Sequence, residues 1–444
     1  MSKSLAILIA LISATSVSAQ SNNDYAPPVI EVDGLRGIPI DILSVDSQMM
    51  FDFASKSVSV ISDMNFKMIG EKGFPLFDLR QEITSASLNG EDIDVAKLAA
   101  HDFGKGAGTM RIIESECAMK VVNVLHLEYT LSKPSSPAAI DIKWDKAGMT
   151  FDTWYSDLNP GRYAEQWFPA NLLYDQHPLN VDLKLVGAES EHLMITNGAT
   201  TVVAKHDWQL RFPETSTAFS HMIVVVPASE VDFLSEKGDV NGEEMRIDVY
   251  CRKDAPTSAV HVLNETAISL RKYSESMGKW DHGNDCIVYV WKGDDGRSME
   301  YDGATTTALG ALDHEIFHSW FGRGVKPASQ NDGWWDEAFN VYFADGRRPN
   351  KRVVQKEGKP VTLSSSNPYN RITPRTSYSL GAVFFGRLAY LLGADELHQH
   401  MSDFYKKYTG HVASTADMEN FLVAESGNEE VRKLFARYVY GRSE

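Results

Sequence analysis

Two histidines that stand four residues apart carry the strongest chemical signal in the sequence. His314 and His318 enclose Glu315 in the pattern His-Glu-x-x-His. Residues four apart on a helix share one face, so the two imidazoles can bind a single zinc ion. Glu315 is directed differently and can take a proton from a zinc-activated water as general base. The pattern therefore predicts a hydrolytic site that holds one zinc ion.

A third zinc ligand is predicted at Glu337. A catalytic zinc uses three protein ligands and keeps a fourth position open. Eighteen residues separate His318 from Glu337, which is enough for a turn and a returning helix. Residues 336–346 have the composition of that helix, and Gly346 stands at its C-terminal end. The expected metal ligands are therefore His314, His318 and Glu337.

The sequence around these residues resembles a known family of zinc enzymes. Residues 314–322, His-Glu-Ile-Phe-His-Ser-Trp-Phe-Gly, and residues 334–337, Trp-Trp-Asp-Glu, are similar to the gluzincin aminopeptidases of the aminopeptidase N type. That family has His-Glu-x-x-His, eighteen residues and a Glu, with Trp-Phe-Gly after the second His. The similarity covers roughly residues 245–440. The glycyl aminopeptidase family is a close sibling.

The resemblance implies a substrate-binding glutamate at Glu300. Residues 296–301, Gly-Arg-Ser-Met-Glu-Tyr, are similar to the family's Gly-x-Met-Glu-Asn, with Tyr301 in place of the asparagine. In the family this Glu lies on an edge strand and binds the free α-amine of the substrate. Glu300 and the adjacent Met299 are therefore expected to bind the N-terminus of a peptide. A carboxylate that pairs with an ammonium group fixes how deeply the chain end enters.

The resemblance also implies a catalytic tyrosine at Tyr378. The family carries a Tyr-x-x-Gly motif whose hydroxyl donates to the oxyanion, and Tyr378-Ser-Leu-Gly381 matches it. A phenol beside zinc can stabilise, by donating a hydrogen bond, the negative charge that develops on the oxygen only in the transition state. Tyr369 in the same segment is the nearest rival, but no glycine follows it at this spacing.

The patterning predicts an α+β protein of several domains. Leu125, Leu127 and Tyr129 alternate with polar residues, and Ile223–Val226 is a continuous β-branched run, as in half-buried and buried strands. We expect an N-terminal antiparallel β domain over 20–240. A thermolysin-like catalytic domain is expected over 241–444, with a mixed α/β lobe at 241–304 and a helical lobe at 305–444. No large C-terminal helical domain is expected.

Four local features complete this outline. Residues 236–242 are polar and contain glycine, which favours a linker or turn. Apolar residues between Pro256 and Gly278 have helical periodicity. Residues 358–377 are rich in Ser, Pro, Asn and Thr, so they form a loop that could close an open cleft. Thr415 can cap a helix that carries Met418, Phe421 and Leu422.

The beginning of the chain predicts export. Residues 1–19 have a basic start, a short apolar run and small residues before a cleavage site after Ala19, which is typical of a secretory signal peptide. The protein is therefore expected to be periplasmic or secreted, with no membrane contact after cleavage. The net charge of −17 argues against nucleic acid as a partner. An oligomer that closes the cleft is possible.

Three cysteines leave two readings open. Cys117, Cys251 and Cys286 fit no zinc motif in their spacing. An exported chain can oxidise two of them. Alternatively, all three are small buried apolar residues.

Taken together, these features favour a zinc-dependent aminopeptidase, which hydrolyses N-terminal residues from peptides that have a free amine. A zinc endopeptidase on the same site is one alternative, and it would need no amine anchor. A non-catalytic zinc-binding or peptide-binding protein is the other. Retention of Glu315 and Tyr378 argues against the last reading.

Overall fold

The computed structural model describes residues 22–70, 72–104, 108–132, 142–291, 298–365 and 367–443. The predicted signal peptide, residues 1–19, lies outside these ranges, and so do Gly296 and Arg297 of the motif that contains Glu300. None of the described helices has the length and apolar character needed to cross a bilayer.

The chain before residue 231 is built from β-strands joined by turns. Within the described residues these strands form sheets of five, eight and four strands, ordered β1-β2-β5-β9-β8, β15-β16-β13-β3-β4-β10-β6-β7 and β11-β12-β17-β14. Neighbours are antiparallel except in the pairs β3–β13 and β2–β5, which are parallel. The strands β1 to β17 are Ile30–Val32, Leu35–Ile38, Ile40–Asp52, Ser57–Met68, Phe74–Phe77, Ile83–Leu88, Glu91–Asp92, Ala100–Asp102, Thr109–Ile112, Asn123–Thr130, Lys143–Trp144, Met149–Asp152, Leu179–Val186, His192–Thr196, Ala199–Ala204, Asp207–Phe212 and Ile223–Pro227.

The two strand patterns found in the sequence are confirmed. On β10, Leu125, Leu127 and Tyr129 are buried while the residues between them are more exposed. All five residues of β17 are buried, because this strand lies between β12 and β14. The β-branched run thus forms the centre of its sheet, as a fully buried strand requires.

Of the linker or turn predicted at 236–242, only the turn is confirmed, at Asn241 and Gly242. Val231–Val240 and Glu243–Arg252 form a long antiparallel hairpin, β18–β19, whose turn includes Asn241 at φ 53° and Gly242 at φ 88°. Most of β18 is exposed, so its polar residues resemble a linker in composition although they belong to a strand. The strand that opens the second part of the chain therefore begins at Val231, before the boundary expected at 240.

The mixed lobe that follows is a five-stranded sheet covered by one helix. Its order is β18-β19-β20-β22-β21, and the edge strand β21 carries Glu300. Cys117, Cys251 and Cys286 are unpaired. Cys251 on β19 and Cys286 on β20 are buried in the core of this lobe. The elements are α1 at Ala259–Ser276, β20 at Asp285–Val290, β21 at Met299–Tyr301 and β22 at Ala304–Thr307.

The remainder of the described chain is mainly helical. Buried aromatic side chains of α2, α3 and α5 pack on one another around Phe317, Phe339 and Phe385. A short two-stranded sheet of β23 and β24 and a π-helical turn at Ser377–Gly381 complete this lobe. The elements are α2 at Leu312–Phe317, β23 at Lys326–Pro327, α3 at Trp334–Phe343, α4 at Lys351–Gln355, α5 at Ala382–Leu392, α6 at Ala394–Tyr408, β24 at Val412–Ala413, α7 at Thr415–Ser426 and α8 at Glu430–Tyr438.

The N-cap of α7 is Ser414 and not Thr415 as the sequence suggested. The Ser414 hydroxyl accepts a hydrogen bond from Asp417 N at 3.2 Å, and the Asp417 carboxylate binds Ser414 N in return, which completes a capping box. Thr415 instead donates its hydroxyl to Asp332 at 2.7 Å. Two adjacent residues with similar capping propensity cannot be separated without this tertiary contact.

The segment 358–376 joins the helical lobe to the N-terminal β region. Arg371 is buried and donates to Glu165 at 2.7 Å and to Asp78 at a short distance. Tyr369 donates its hydroxyl to Pro28 O at 2.7 Å. The loop therefore holds the two parts of the chain together through buried polar contacts.

Removal of the Arg371 guanidinium should destabilise the whole protein. Arg371→Met removes the arginine that pairs with the buried Glu165 carboxylate and leaves Asp78 with Arg80 alone, and loss of one partner of a buried ion pair typically costs about 3–5 kcal/mol. Urea unfolding followed by tryptophan fluorescence should show an earlier midpoint. Arg375→Met, at an exposed position in the same segment, is the control and should change stability by less than about 0.5 kcal/mol. Equal midpoints for the two variants would contradict this role for Arg371.

Candidate active site

Helices α2 and α3 bring the three predicted zinc ligands together. Glu337 Oε2 lies 3.3 Å from His314 Nε2 and 3.6 Å from His318 Nε2. The three ligand atoms lie within 4.8 Å of one another. Asn340 of α3 donates to the backbone oxygen of His314 at 2.8 Å, which fixes the position of one helix against the other.

The far side of each imidazole contacts a carboxylate. His314 Nδ1 lies 3.1 Å from Asp345 Oδ1, and His318 Nδ1 lies 2.5 Å from Asp336 Oδ1. A carboxylate that accepts the Nδ1 proton leaves Nε2 as the free lone pair and fixes the ring orientation. Both Nε2 atoms are then available to one metal ion.

Gly322 allows Asp336 to reach His318. Its backbone has φ 113°, and a Cβ at this position would collide with the Asp336 carboxylate. Glycine is the residue that accepts both the positive φ and the close approach. This contact explains why glycine stands at the end of the Trp-Phe-Gly run.

The residues fit a zinc ion. Glu337 Oε2 is buried and has no hydrogen-bond partner among the described residues. Burial alone lowers the pKa of His314, but the hydrogen bond to Asp345 and the neighbouring Glu337 carboxylate outweigh burial and raise this pKa to about 10. The site therefore attracts positive charge, and two imidazoles with a carboxylate form the donor set of many catalytic zinc sites.

The three predicted zinc ligands, called the triad below, line a cavity with a volume of about 350 Å³, and Glu315 lines the same cavity. Its side chain is buried, and Oε2 has no hydrogen-bond partner among the described residues. Burial, together with the charge of Glu300, raises the pKa of Glu315 to about 8. A carboxyl group with such a pKa can exchange a proton near neutral pH.

Glu300 lines the cavity on the other side of His318. Glu300 Oε1 accepts a hydrogen bond from Arg323 at 2.8 Å and lies 3.8 Å from His318 Nδ1. Met299 is buried beside it and also lines the cavity. The structure therefore brings both expected substrate-binding residues to the metal-ligand set.

Asp157 of the N-terminal β region lines the same cavity beside Glu300, which the sequence did not indicate. Asp157, Glu300 and Asp336 offer carboxylate oxygens within 4.8 Å of one another. Burial, with the charge of Glu300, raises the pKa of Asp157 to about 8. Arg323 is fully buried within this group, and its guanidinium lies 3.7 Å from the ring centre of Phe219. Charged residues far apart in sequence carry no periodic signal, so only the fold reveals this cluster.

Tyr378 lies at the triad, whereas Tyr369 does not. The Tyr378 hydroxyl donates a short hydrogen bond to Glu337 Oε1, and Tyr378 lines the cavity. A Cβ on Gly381 would collide with Ala338 of α3, so glycine lets the turn approach that helix. Tyr369 is buried against the N-terminal region. Tyr378 is thus the tyrosine of this pair that the fold brings to the site.

Neither the models of known protein families nor the curated proteins give a match.

Comparison of the fold with solved structures gives a clear result. The M1 zinc metallopeptidase from Deinococcus radiodurans has a TM-score of 0.67 and 17% identity, and the match covers 96% of this chain and 98% of that one. A variant of that enzyme bound to a Tyr-Ser-Ala substrate has a TM-score of 0.64, 18% identity and coverage of 96% and 98%. Legionella pneumophila aminopeptidase A in complex with aspartic acid has a TM-score of 0.68 and 11% identity, with coverage of 93% and 51%.

The chain therefore has the fold of the M1 zinc metallopeptidases. This confirms at the level of fold the resemblance to gluzincin aminopeptidases of the aminopeptidase N type. It also confirms the predicted class, with a β-rich N-terminal region and a helical C-terminal part.

Loss of the Asp336 carboxylate should weaken zinc binding. In Asp336→Asn, a neutral amide replaces the charged acceptor that fixes the ring of His318, and loss of such outer contacts typically changes metal affinity by about 10- to 100-fold. Competition with a chelator of known affinity measures the change, and circular dichroism verifies the fold. Asp403→Asn is the control, because Asp403 lies far out on α6 with a side chain 40% exposed. An affinity equal to that of the control variant would exclude this role for Asp336.

Proposed function

We propose that the chain is a zinc aminopeptidase that removes N-terminal residues from peptides. The observation that carries the proposal is the place of Glu300 and Asp157. Both carboxylates line the cavity that contains His314, His318 and Glu337. An endopeptidase needs no negative charge at this point, whereas an aminopeptidase must bind the free ammonium group of the same residue that carries the scissile carbonyl.

The charge balance favours a cationic group at this end of the cavity. Glu300, Asp157 and Asp336 surround one guanidinium, that of Arg323. Buried carboxylates without a full complement of positive charge are costly. A substrate ammonium supplies a second positive charge, and its hydrogen bonds to carboxylates position the chain end.

The remaining side chains have distinct roles in the proposed hydrolysis. Glu315 takes a proton from the attacking water and returns it to the leaving nitrogen. The Tyr378 hydroxyl donates to the oxygen of the scissile carbonyl as that oxygen gains charge. A zinc ion held by His314, His318 and Glu337 would supply Lewis acidity to this reaction.

The structural neighbours support a peptide substrate, since one was crystallised with Tyr-Ser-Ala and another with aspartic acid. We also propose that the enzyme works in the periplasm or outside the cell. That part rests on the signal-like residues 1–19 alone.

Substitution of Glu315 should separate zinc binding from turnover. Glu315→Gln keeps the size of the side chain but removes the base, so kcat should fall by about 10²- to 10⁴-fold. Zinc content, measured by atomic absorption, should stay at the wild-type level. Glu265→Gln, at an exposed position of α1, is the matched control. Wild-type turnover by Glu315→Gln would exclude Glu315 as the base.

Paired peptides with free and N-acetylated termini test the exopeptidase reading. Wild-type protein should release the first residue from the free-amine peptides alone, and a chelator should abolish this activity. Glu300→Gln should lower kcat/KM on the free-amine peptides by roughly 10- to 150-fold, because one charge-assisted hydrogen bond contributes about 1.5–3 kcal/mol.

Other cleavage patterns would replace the proposal. Internal cleavage of both peptide forms would identify a zinc endopeptidase. Zinc binding without cleavage of either form would identify a non-catalytic binding protein.

A further inference from the structure

Arg347 is the only lysine or arginine among the described residues that line the active-site cavity. The same wall carries five carboxylates, and the whole chain has a net charge of −17. A negatively charged group of a substrate is therefore repelled almost everywhere in this cavity. Arg347 is the exception, so it marks the place where such a group can bind. The five carboxylates are Asp157, Glu300, Glu315, Glu337 and Asp345.

The side chain of Arg347 is available to a ligand. It is 74% exposed, and its one ion pair in the described structure joins Nε to Asp345 Oδ2 at 3.4 Å. The backbone is held by a hydrogen bond from Arg347 N to Val341 O at 3.1 Å, just beyond the end of α3. The two terminal nitrogens of the guanidinium can therefore bind a carboxylate in a bidentate manner.

Arg347 and the proposed amine anchor lie beside different metal ligands. Asp345 connects Arg347 to His314, since its Oδ1 lies 3.1 Å from His314 Nδ1. Glu300 instead lies beside His318, with 3.8 Å between its Oε1 and His318 Nδ1. Consider a peptide whose amine lies at Glu300 and whose scissile carbonyl lies at the triad. The residue after its scissile bond must then lie elsewhere in the cavity. The His314 side of the cavity, where Arg347 lies, is open to it.

The size of the cavity limits the length of this peptide. Its volume of about 350 Å³ is near the lower end of ligand pockets, which span roughly 300–1,000 Å³. Each residue of an extended chain adds about 3.3–3.6 Å. A short peptide thus fills the cavity, and its second residue already lies past the metal ligands.

We propose that Arg347 binds a carboxylate on the residue that follows the scissile bond, so that short peptides with such a carboxylate are preferred substrates. The carboxylate is either the C-terminus of a dipeptide or the side chain of an aspartate or glutamate. This inference rests on the proposed aminopeptidase activity. A zwitterionic dipeptide then meets a carboxylate cluster at its amine and an arginine at its carboxylate.

Four dipeptide substrates test this role. Leu-Ala is compared with Leu-Ala amide, and Leu-Asp amide is compared with Leu-Asn amide, so each pair differs mainly in one carboxylate. In Arg347→Gln, kcat/KM for a carboxylate-bearing member should fall on the order of 10-fold, mainly through KM, while its neutral partner changes less than about 2-fold. Zinc content is measured in parallel.

Arg348→Gln is the matched control. Arg348 is adjacent and exposed, but its guanidinium lies 6.0 Å from the ring centre of Tyr342 and it does not line the cavity. This variant should behave as wild type on all four substrates.

The pattern of losses decides the outcome. A loss confined to Leu-Ala supports binding of the C-terminus, and a loss confined to Leu-Asp amide supports binding of an acidic side chain. Equal losses on charged and neutral members would overturn the proposal, because Arg347 would then act only through Asp345 and His314. Unchanged ratios would overturn it as well. Cleavage of the neutral amides by wild-type protein tests the aminopeptidase activity separately, so the two failures are distinguishable.

Discussion

The site depends on an excess of buried negative charge. Five carboxylates are almost completely shielded from solvent around one arginine and two histidines. Such a cluster is unfavourable on its own in a medium of low dielectric constant. A divalent cation between the ligand atoms and an ammonium group at the amine anchor both reduce this excess. Metal binding and the proposed recognition of a peptide N-terminus would therefore be two consequences of one electrostatic arrangement. The carboxylates are Asp157, Glu300, Glu315, Asp336 and Glu337.

That arrangement needs both parts of the chain. Asp157 comes from the β-rich region, but its backbone oxygen accepts hydrogen bonds from Gln330 at 2.8 Å and from Thr373 N at 3.0 Å. Its side chain accepts from Tyr163 at 2.5 Å. The contacts of segment 358–376 with the β region thus do more than connect two bodies. They hold a carboxylate of one part against the predicted metal ligands of the other, and this contact positions the proposed amine-binding end of the cavity.

The sequence predicted those features that local spacing determines. His314, His318 and Glu337 follow from helical periodicity and one turn, and the family pattern supplied Glu300 and Tyr378. Asp157 could not be predicted, because its role arises from tertiary packing between segments far apart in the chain. The hairpin β18–β19 was predicted only in part, for a different reason, since no more than a linker or turn was expected at 236–242. Its first strand is largely exposed, so it lacks the apolar alternation by which strands are recognised.

The two histidines of the triad differ in how deeply they and their carboxylate partners are buried, and this difference bears on specificity. His318 and its partner Asp336 each have side chains 1% exposed, whereas those of His314 and Asp345 are 18% and 20% exposed. A change in the buried pair removes a buried charge partner and destabilises the protein strongly. The His314–Asp345 pair is less buried, so a change there should cost less stability than a change in the buried pair. The proposed recognition of the free amine is thereby tied to the stability of the fold, while the residue after the scissile bond would face the less buried side of the cavity.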